Sequence, residues 1–301
     1  MTASFERFMV TLHGQRGAAW VAGLPALIAD LEARWGLRAL PPFPNLSYNY
    51  AAPAELADGT PAVLKLGVPG PELLSEMAAL GHFGGHGCVR LLACEPELGA
   101  MLLERLRPGT MLSTMADDEA ATRIAANVML DLWRPPPAEH RFPQAAEWAS
   151  GLGRLRALFD GGTGPLPERL VVAAEGYFKE LLAAGAEPVL LHGDLHHFNI
   201  LSSERASWLA IDPKGLVGDR GYEVGALLHN PVGSCLDVPD PAGKLARRVS
   251  TLAEMLTMER QRVAMWGMAM AVLSAWWSLE DANEVDHEVL RCAELLDGLV
   301  G

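Results

Sequence analysis

Between Leu190 and Leu201 the chain reads LLHGDLHHFNIL: an aspartate, an asparagine and three histidines enclosed by two apolar ends. A second carboxylate, Asp212, closes the next apolar segment, WLAIDP. Asp194, Asn199 and Asp212 are thus separated by 5 and 13 residues, a spacing that one hairpin closes in space. Two carboxylates and an amide offer oxygen ligands, the preference of magnesium, which keeps waters and ligand phosphates in its shell. The histidines are a poor zinc set. His192 and His196 share a face only if the segment is a helix, and Gly193-Asp194 between two extended apolar runs argues for a loop. HGDLHH is not the helical HExxH pattern, and no cysteine stands nearby to complete a tetrahedron.

Phosphoryl transfer uses such an oxygen set. One carboxylate orients the acceptor hydroxyl and takes its proton, while an amide oxygen and a second carboxylate hold magnesium against the phosphates. The reaction also needs a cation for the phosphates that stay behind. Lys65, inside the apolar strand pattern AVLKLG, is the candidate, because a lone ammonium there is costly without a partner. Glu76, on the helical pattern that begins after Pro71, is its natural counter-ion and would keep it charged. Taken singly, each residue has a structural reading: Lys65 as a snorkelling strand residue, Glu76 as a solvated helix residue, Asp194 or Asp212 as a turn cap. The ordered set of all of them is harder to assign to coincidence.

The elements that must position these residues fall into two groups. In the first 104 residues, PALIADLEARW predicts a helix over 25–35, opened by Pro25 and stopped by Gly36. NLSYNYAAPA and TPAVLKLG predict two strands joined at Asp58-Gly59. PELLSEMAALGHF predicts a helix with Pro71 early and Glu72 in its first turn. CVRLLACEPELGAMLLERL predicts two further strands meeting at the turn from Pro96 to Gly99. After Leu106 helical patterns dominate, over 111–132, 145–159, 168–184, 222–228, 243–257, 260–279 and 285–296. The short strands VLLHG and WLAIDP interrupt them only around the polar loop.

Composition narrows the partners. The 301 residues are half hydrophobic, enough for one large core or two smaller ones. A formal charge of −13 disfavours nucleic acid and anionic membrane surfaces, and suits a cationic ligand. Cys88, Cys94, Cys235 and Cys292 lack a CxxC spacing and read as small apolar residues of a reducing compartment. The N-terminus has no convincing export signal. The apolar run from Val263 to Trp277 is too short to span a bilayer and reads as a buried helix. A cytoplasmic enzyme or binding protein is expected, working as a monomer or weak dimer.

The stretches LSYNY, VLKLG, LLSEMAAL, LLERLRPG, LHGDLHHFNIL and IDPKGLVGDRGYEVGALLHNP resemble the kinase-like antibiotic phosphotransferases, in particular the aminoglycoside/hydroxyurea resistance kinases that include streptomycin 6-kinases. The resemblance spans residues 46–231 and continues more weakly in AWWSLED. It implies an α+β, bilobal protein-kinase-like fold: a mainly-β nucleotide-binding lobe over 1–104 and a mainly helical lobe over 105–301, with ATP between them. It assigns Lys65 to the α and β phosphates, paired with Glu76. Asp194 becomes the catalytic base or acceptor-orienting carboxylate, and Asn199 and Asp212 the magnesium ligands. Met101 to Leu106 becomes the linker, with backbone groups around Glu104 and Arg105 addressing adenine. Two departures from protein kinases stand out. Ser47, Tyr48 and Asn49 occupy the nucleotide loop without a glycine, and HGD replaces HRD, so no arginine awaits an activation-loop phosphate. His192 is expected to pack beneath the loop and to hydrogen-bond backbone near Asp212.

The implied reaction is ATP- and Mg2+-dependent transfer of the γ-phosphate to a hydroxyl of a small molecule, an aminoglycoside such as streptomycin. A kinase for another small metabolite and a non-catalytic nucleotide-binding module are the alternatives. On the acceptor side, His196 and His197 either face the substrate or cap the turn. Asp219 either caps a helix or contacts substrate, and Arg220 with Glu223 suggests a structural salt bridge and helix-start arrangement. Glu280 and Asp281 are candidate walls for a cation, with Trp276 or Trp277 stacking beside them.

Overall fold

The computed structural model describes residues 3–233 and 235–301. It divides into two compact units, one ending at Gly109 and one running Thr110–Gly301. The first unit thus takes in five residues beyond Glu104, where the sequence places the change of character.

The first unit is a five-stranded antiparallel sheet of order β1-β2-β3-β5-β4. Its strands are β1 (Leu37–Ala39), β2 (Tyr50–Leu56), β3 (Pro61–Leu66), β4 (Leu91–Glu95) and β5 (Ala100–Glu104). The β2–β3 turn forms at Asp58-Gly59 as expected, with Gly59 at φ 84° and Asp58 Oδ1 accepting from Thr60 N–H. LSYN stays outside β2, in the connection from β1. Alternation along β3 buries Ala62, Leu64 and Leu66 on one face and turns Lys65 to the other. Helix α1 (Ala3–Trp35) begins far ahead of the predicted helix at 25, with Pro25 inside it and a break at Gly14 (φ 59°, ψ −135°). Its Phe5, Met9, Leu24 and Leu31 join Tyr50, Ala52, Leu64 and Leu102 in one core. Helix α2 (Pro71–Phe83) has the predicted Pro71 start and ends on left-handed Gly84.

The second unit is mainly helical. Helices α3 (Asp118–Leu132), α4 (Ala145–Ala149), α5 (Leu152–Leu158) and α6 (Glu168–Ala183) precede the polar loop. Helices α7 (Val224–Leu228), α8 (Pro241–Leu256), α9 (Arg260–Ala282) and α10 (His287–Asp297) follow it. The predicted helix from Met111 starts only at Asp118, where Asp117 caps it by accepting from Ala120 N–H. Met111 itself ends strand β6 (Pro108–Met111). Helix α9 holds the apolar run and buries thirteen residues from Val263 to Trp276, on every side, as expected of a helix at the centre of a core. Among the described residues no helix is long and apolar enough to cross a membrane. All four cysteines are free thiols, three of them buried.

Two short sheets frame the loop. Strands β7 (Val189–Leu191) and β10 (Leu216–Gly218) pair antiparallel, Leu191 facing Leu216. Strands β8 (Ile200–Ser203) and β9 (Trp208–Ala210) form a hairpin, Ile200 facing Ala210, in a sheet of order β6-β8-β9.

One close backbone approach closes the first unit's sheet. Gly67 N–H donates to Gly99 O at 2.9 Å, and Gly99 sits at φ 64°. A Cβ on Gly99 would lie 2.2 Å from Gly67 O, whereas one on Gly59 would meet nothing within 4 Å. Gly99→Ala is therefore expected to lose roughly 2–4 kcal/mol of stability in urea unfolding. Gly59→Ala, which bears only the left-handed backbone cost, is expected to lose about 1 kcal/mol. Equal losses would contradict the steric account.

Candidate active site

In the first unit, Lys65 Nζ lies 2.5 Å from Glu76 Oε1, and both side chains are buried. The sheet supplies the lysine from the middle of β3, between Ala51 on β2 and Met101 on β5. Helix α2 supplies the glutamate from its second turn. A buried ammonium this close to a carboxylate is the arrangement that keeps its charge in place, since an unpaired one would be expelled or neutralised.

Around the loop connecting β1 to β2, Tyr48 is exposed and meets Phe8 edge-on at 5.3 Å. Asn49 lies over Gly67, where a Cβ would stand 2.3 Å from Asn49 Oδ1. Ser47 lies beside them in the same loop. At the far end of the sheet Glu104 is the last residue of β5, with its N–H on Arg90 O and its Oε2 accepting from Arg90 N–H. Met101–Glu104 is therefore strand, and a linker can begin only at Arg105, whose guanidinium lies 5.7 Å above the Phe43 ring.

In the second unit the polar loop runs from β7 to β8, and its backbone is satisfied from below. His192 is fully buried. Its Nε2 lies 2.8 Å from Ile211 O, so Nε2 carries the proton, and Nδ1 accepts from Asp194 N–H at 3.3 Å. Burial pushes this imidazole down to about 3, which keeps it neutral. Its carbonyl accepts from Lys214 N–H at 2.7 Å. The predicted bond to backbone beside Asp212 is thus present.

Asn199 and Asp212 are brought together by the β8–β9 hairpin. Ile211 N–H donates to Asn199 O at 2.9 Å, extending the ladder by one step and setting Asp212 just beyond Asn199. Asn199 Nδ2 in turn donates to Asp194 O at 2.9 Å, tying the two ends of the loop. Asp212 sits in the left-handed region at φ 60°, an uncommon conformation outside glycine that its paired neighbours hold in place. The donor set fits an oxygen-seeking cation. The Asn199 amide spends its N–H on the loop, so its oxygen is the end left for a ligand, and Asp194, Asn199 and Asp212 are all partly solvent-accessible.

His196 Nδ1 accepts from Phe198 N–H at 3.3 Å, and its Nε2 stands 3.6 Å from Asp194 Oδ1. It therefore caps the one-turn 3-10 helix His197–Asn199 from beside the aspartate. His197 is buried, and its Nε2 lies 3.3 Å from Arg248 Nη2. Burial, and then the Arg248 charge, lower it to about 3.

Glu223 is the residue that sequence reasoning placed wrongly. It makes no salt bridge with Arg220, which lies over the Trp133 ring at 5.9 Å. Glu223 is buried instead, its Oε2 accepting from His192 N–H at 2.7 Å and Oε1 from Gly193 N–H at 2.9 Å. Burial raises its carboxyl to about 7 despite those two bonds. The glutamate in GDRGYEVG was visible, but which backbone groups it faces is a property of the fold.

Other acceptor candidates stand elsewhere. Asp219 caps the turn Arg220–Glu223, with Oδ1 accepting from Gly221 N–H at 2.7 Å and Oδ2 paired with Arg262. Both its oxygens are engaged, which favours the capping role. Glu280 is held by Arg154 through two 2.7 Å bonds, and Asp281 lends charge to the same guanidinium. Trp277 meets Trp148 edge-on at 5.5 Å, and Trp276 is core. The contacts described for Trp277 and Glu280 are thus with Trp148 of α4 and Arg154 of α5.

A family model for aminoglycoside/hydroxyurea antibiotic resistance kinases matches residues 49–282. Streptomycin 6-kinase of Streptomyces glaucescens is 33% identical over a 310-residue alignment that covers 99% of this chain and 96% of that one. Hydroxyurea phosphotransferase of Kitasatospora aureofaciens is 36% identical over 296 residues, covering 96% and 83%. Among solved structures, aminoglycoside phosphotransferase APH(4)-Ia in ternary complex with ADP and hygromycin B superposes with a TM-score of 0.62 at 16% identity, covering 91% of this chain and 98% of that one. The fold is a bilobal, ATP-binding kinase fold with a β-rich N-terminal lobe and a helical C-terminal lobe. The chain is a phosphotransferase that moves a phosphoryl group from ATP to a hydroxyl of a small molecule. With a family match over most of its length and full-length relatives above 30% identity, this chain belongs to the aminoglycoside/hydroxyurea antibiotic resistance kinases.

Proposed function

We propose that the acceptor is an aminoglycoside such as streptomycin, and that Asp194, Asn199, Asp212, Lys65 and Glu76 carry the reaction with Mg2+. The observation that carries this reading is the closure of the polar loop: Asn199 Nδ2 binds Asp194 O while Asn199 O binds Ile211 N–H, next to Asp212. Asp194 orients the acceptor hydroxyl and receives its proton as the oxygen attacks. Asn199 Oδ1 and the Asp212 carboxylate are the residues to hold Mg2+. When bound, that ion neutralises the charge that develops on the phosphates. Lys65, kept in place by Glu76, holds the phosphates that are not transferred. Ser47, Tyr48 and Asn49 border the nucleotide, and backbone groups at Glu104 and Arg105 address the adenine. His192 and Glu223 keep the Asp194 backbone in register from beneath.

Streptomycin is the first acceptor to test because two of the similar proteins are streptomycin 6-kinases. Hydroxyurea is the second, since a phosphotransferase for it is 36% identical. The chain's charge of −13 supports a cationic acceptor through long-range attraction. The same reading takes the enzyme as a cytoplasmic monomer or weak dimer. ADP release with each compound, followed by phosphorus NMR of the product, identifies the acceptor and the modified oxygen. Acceptor-independent ADP release alone would count against both.

Asp194→Ala is expected to lower turnover by ~10² or more while nucleotide binding stays nearly intact; an unchanged rate would remove Asp194 from its role. Asp212→Ala is expected to weaken Mg2+-nucleotide binding together with turnover, measured by calorimetry and by rate, and a normal metal dependence would contradict it. Glu223 adds a pH signature. Its folded-state value near 7 lies above its ordinary 4.5, so protons bind the folded chain more tightly. Its contribution to stability is full below about 4.5 and is lost as pH rises through about 7. Turnover runs the other way, since only the ionised carboxylate accepts from both His192 and Gly193. Glu223→Gln is expected to flatten the fall in melting temperature between those two pH values and to reduce turnover at all pH. A variant that keeps the wild-type pH dependence of melting would refute the assignment.

A further inference from the structure

Arg248, on α8, is only 1% exposed, as deeply buried as Glu223, and no step proposed above uses it. Its five N–H groups are all engaged. Nε and Nη2 grip the Asp118 carboxylate at 2.6–3.1 Å. Nη1 donates to Asn230 O at 2.6 Å and to Leu227 O at 3.2 Å, near the C-terminal end of α7, and lies 3.6 Å from Cys235 Sγ. Nη2 also reaches His197 Nε2 at 3.3 Å. A guanidinium has no lone pair to offer, so His197 Nε2 must accept, and the imidazole is fixed in the tautomer with its proton on Nδ1.

His197 opens the single 3-10 turn that ends at Asn199. A turn this short has few bonds of its own: Asn199 N–H donates to His196 O at 2.9 Å. The direction of Asn199 therefore depends on what holds the side chains around it. We infer that Arg248 is a positioning residue for phosphoryl transfer, holding His197, and through it the turn that presents Asn199, while Asp118 and the carbonyls of Leu227 and Asn230 fix the guanidinium itself. The inference rests on Asn199 being a metal ligand. It has a rival, in which Arg248 contacts the acceptor directly, because Asp118, His197, Lys244 and Arg248 also line a cavity of about 350 Å³.

The two are separated by Mn2+ binding in the presence of ADP, followed by electron paramagnetic resonance on the full chain, with no acceptor present. Arg248→Lys keeps the charge but loses the fork. It is expected to weaken Mn2+ binding about 10-fold, the usual scale for a group behind a metal ligand. His197→Leu should do the same, and His197→Gln, which can still accept from Arg248, should restore most of the affinity. In an Asn199→Ala background Arg248→Lys should add no further loss. If Arg248→Lys fails to fold, the His197→Leu and His197→Gln pair decides between them, because it leaves the Arg248–Asp118 grip in place.

Three results would overturn the inference. Unchanged Mn2+ affinity in folded Arg248→Lys or His197→Leu, beside weakened binding in Asn199→Ala, leaves the metal reading intact and removes the positioning role. A raised KM for streptomycin with Mn2+ affinity unchanged also removes that role and favours direct contact. Unchanged affinity in Asn199→Ala as well removes the metal assignment and the inference together.

Discussion

A loop that carries catalytic side chains inside a protein exposes backbone N–H groups that neither a helix nor a sheet can satisfy. Leaving such groups unpaired costs about as much as a lost buried hydrogen bond apiece, so side chains must be brought in to meet them. In this chain the Glu223 carboxylate meets two of them, on His192 and Gly193, and the His192 ring meets a third, on Asp194. Most of the second unit's design follows. Glu223 reaches the loop because Asp219 caps the turn before it, and Asp219 is in turn paired with Arg262 of the buried helix α9.

The loop's other end is held by a different device. The β8–β9 hairpin extends one step past its last regular pair, through Ile211 N–H to Asn199 O. That step joins the strand ends, and His192 Nε2 closes the circuit by binding Ile211 O. One imidazole thus connects the residue before Asp212 to the residue before Gly193. Its neutrality is a condition of the arrangement, because a protonated ring could not accept from Asp194 N–H. Burial ensures it.

The first unit solves a simpler electrostatic problem. A buried lysine on a sheet strand needs one fixed counter-ion, and α2 delivers Glu76 at 2.5 Å. Nothing in this pair requires a loop, and both partners lie on regular elements whose periodicity assigns their faces. This is why Lys65 and Glu76 were legible from the sequence. A lone lysine inside an apolar strand called for a partner, and the helix that begins after Pro71 offered Glu76. The helix ahead of residue 25 was not legible, because its apolar residues are spaced loosely and Gly14 and Pro25 read as breaks. Its tertiary packing against the sheet overrides those signals.

Residue types and spacings by themselves pointed to phosphoryl transfer, singled out Lys65, Glu76, Asp194, Asn199 and Asp212 as its candidates, and marked the change from strands to helices after Leu106; the family resemblance supplied the kinase-like class. Those features are carried by local periodicity and by a short motif whose members are close in the chain. Tertiary structure alone decided the rest. It turned Glu223 from a partner for Arg220 into the floor of the loop, and Asp219 into a cap. It tied Glu280 to Arg154 on the far stretch of α9. It also buried Arg248, 51 residues beyond His197, within hydrogen-bond reach of it. The physical reason is common to all four: a charged side chain's role is set by which donors and acceptors surround it once water is excluded, and those neighbours come from distant parts of the chain.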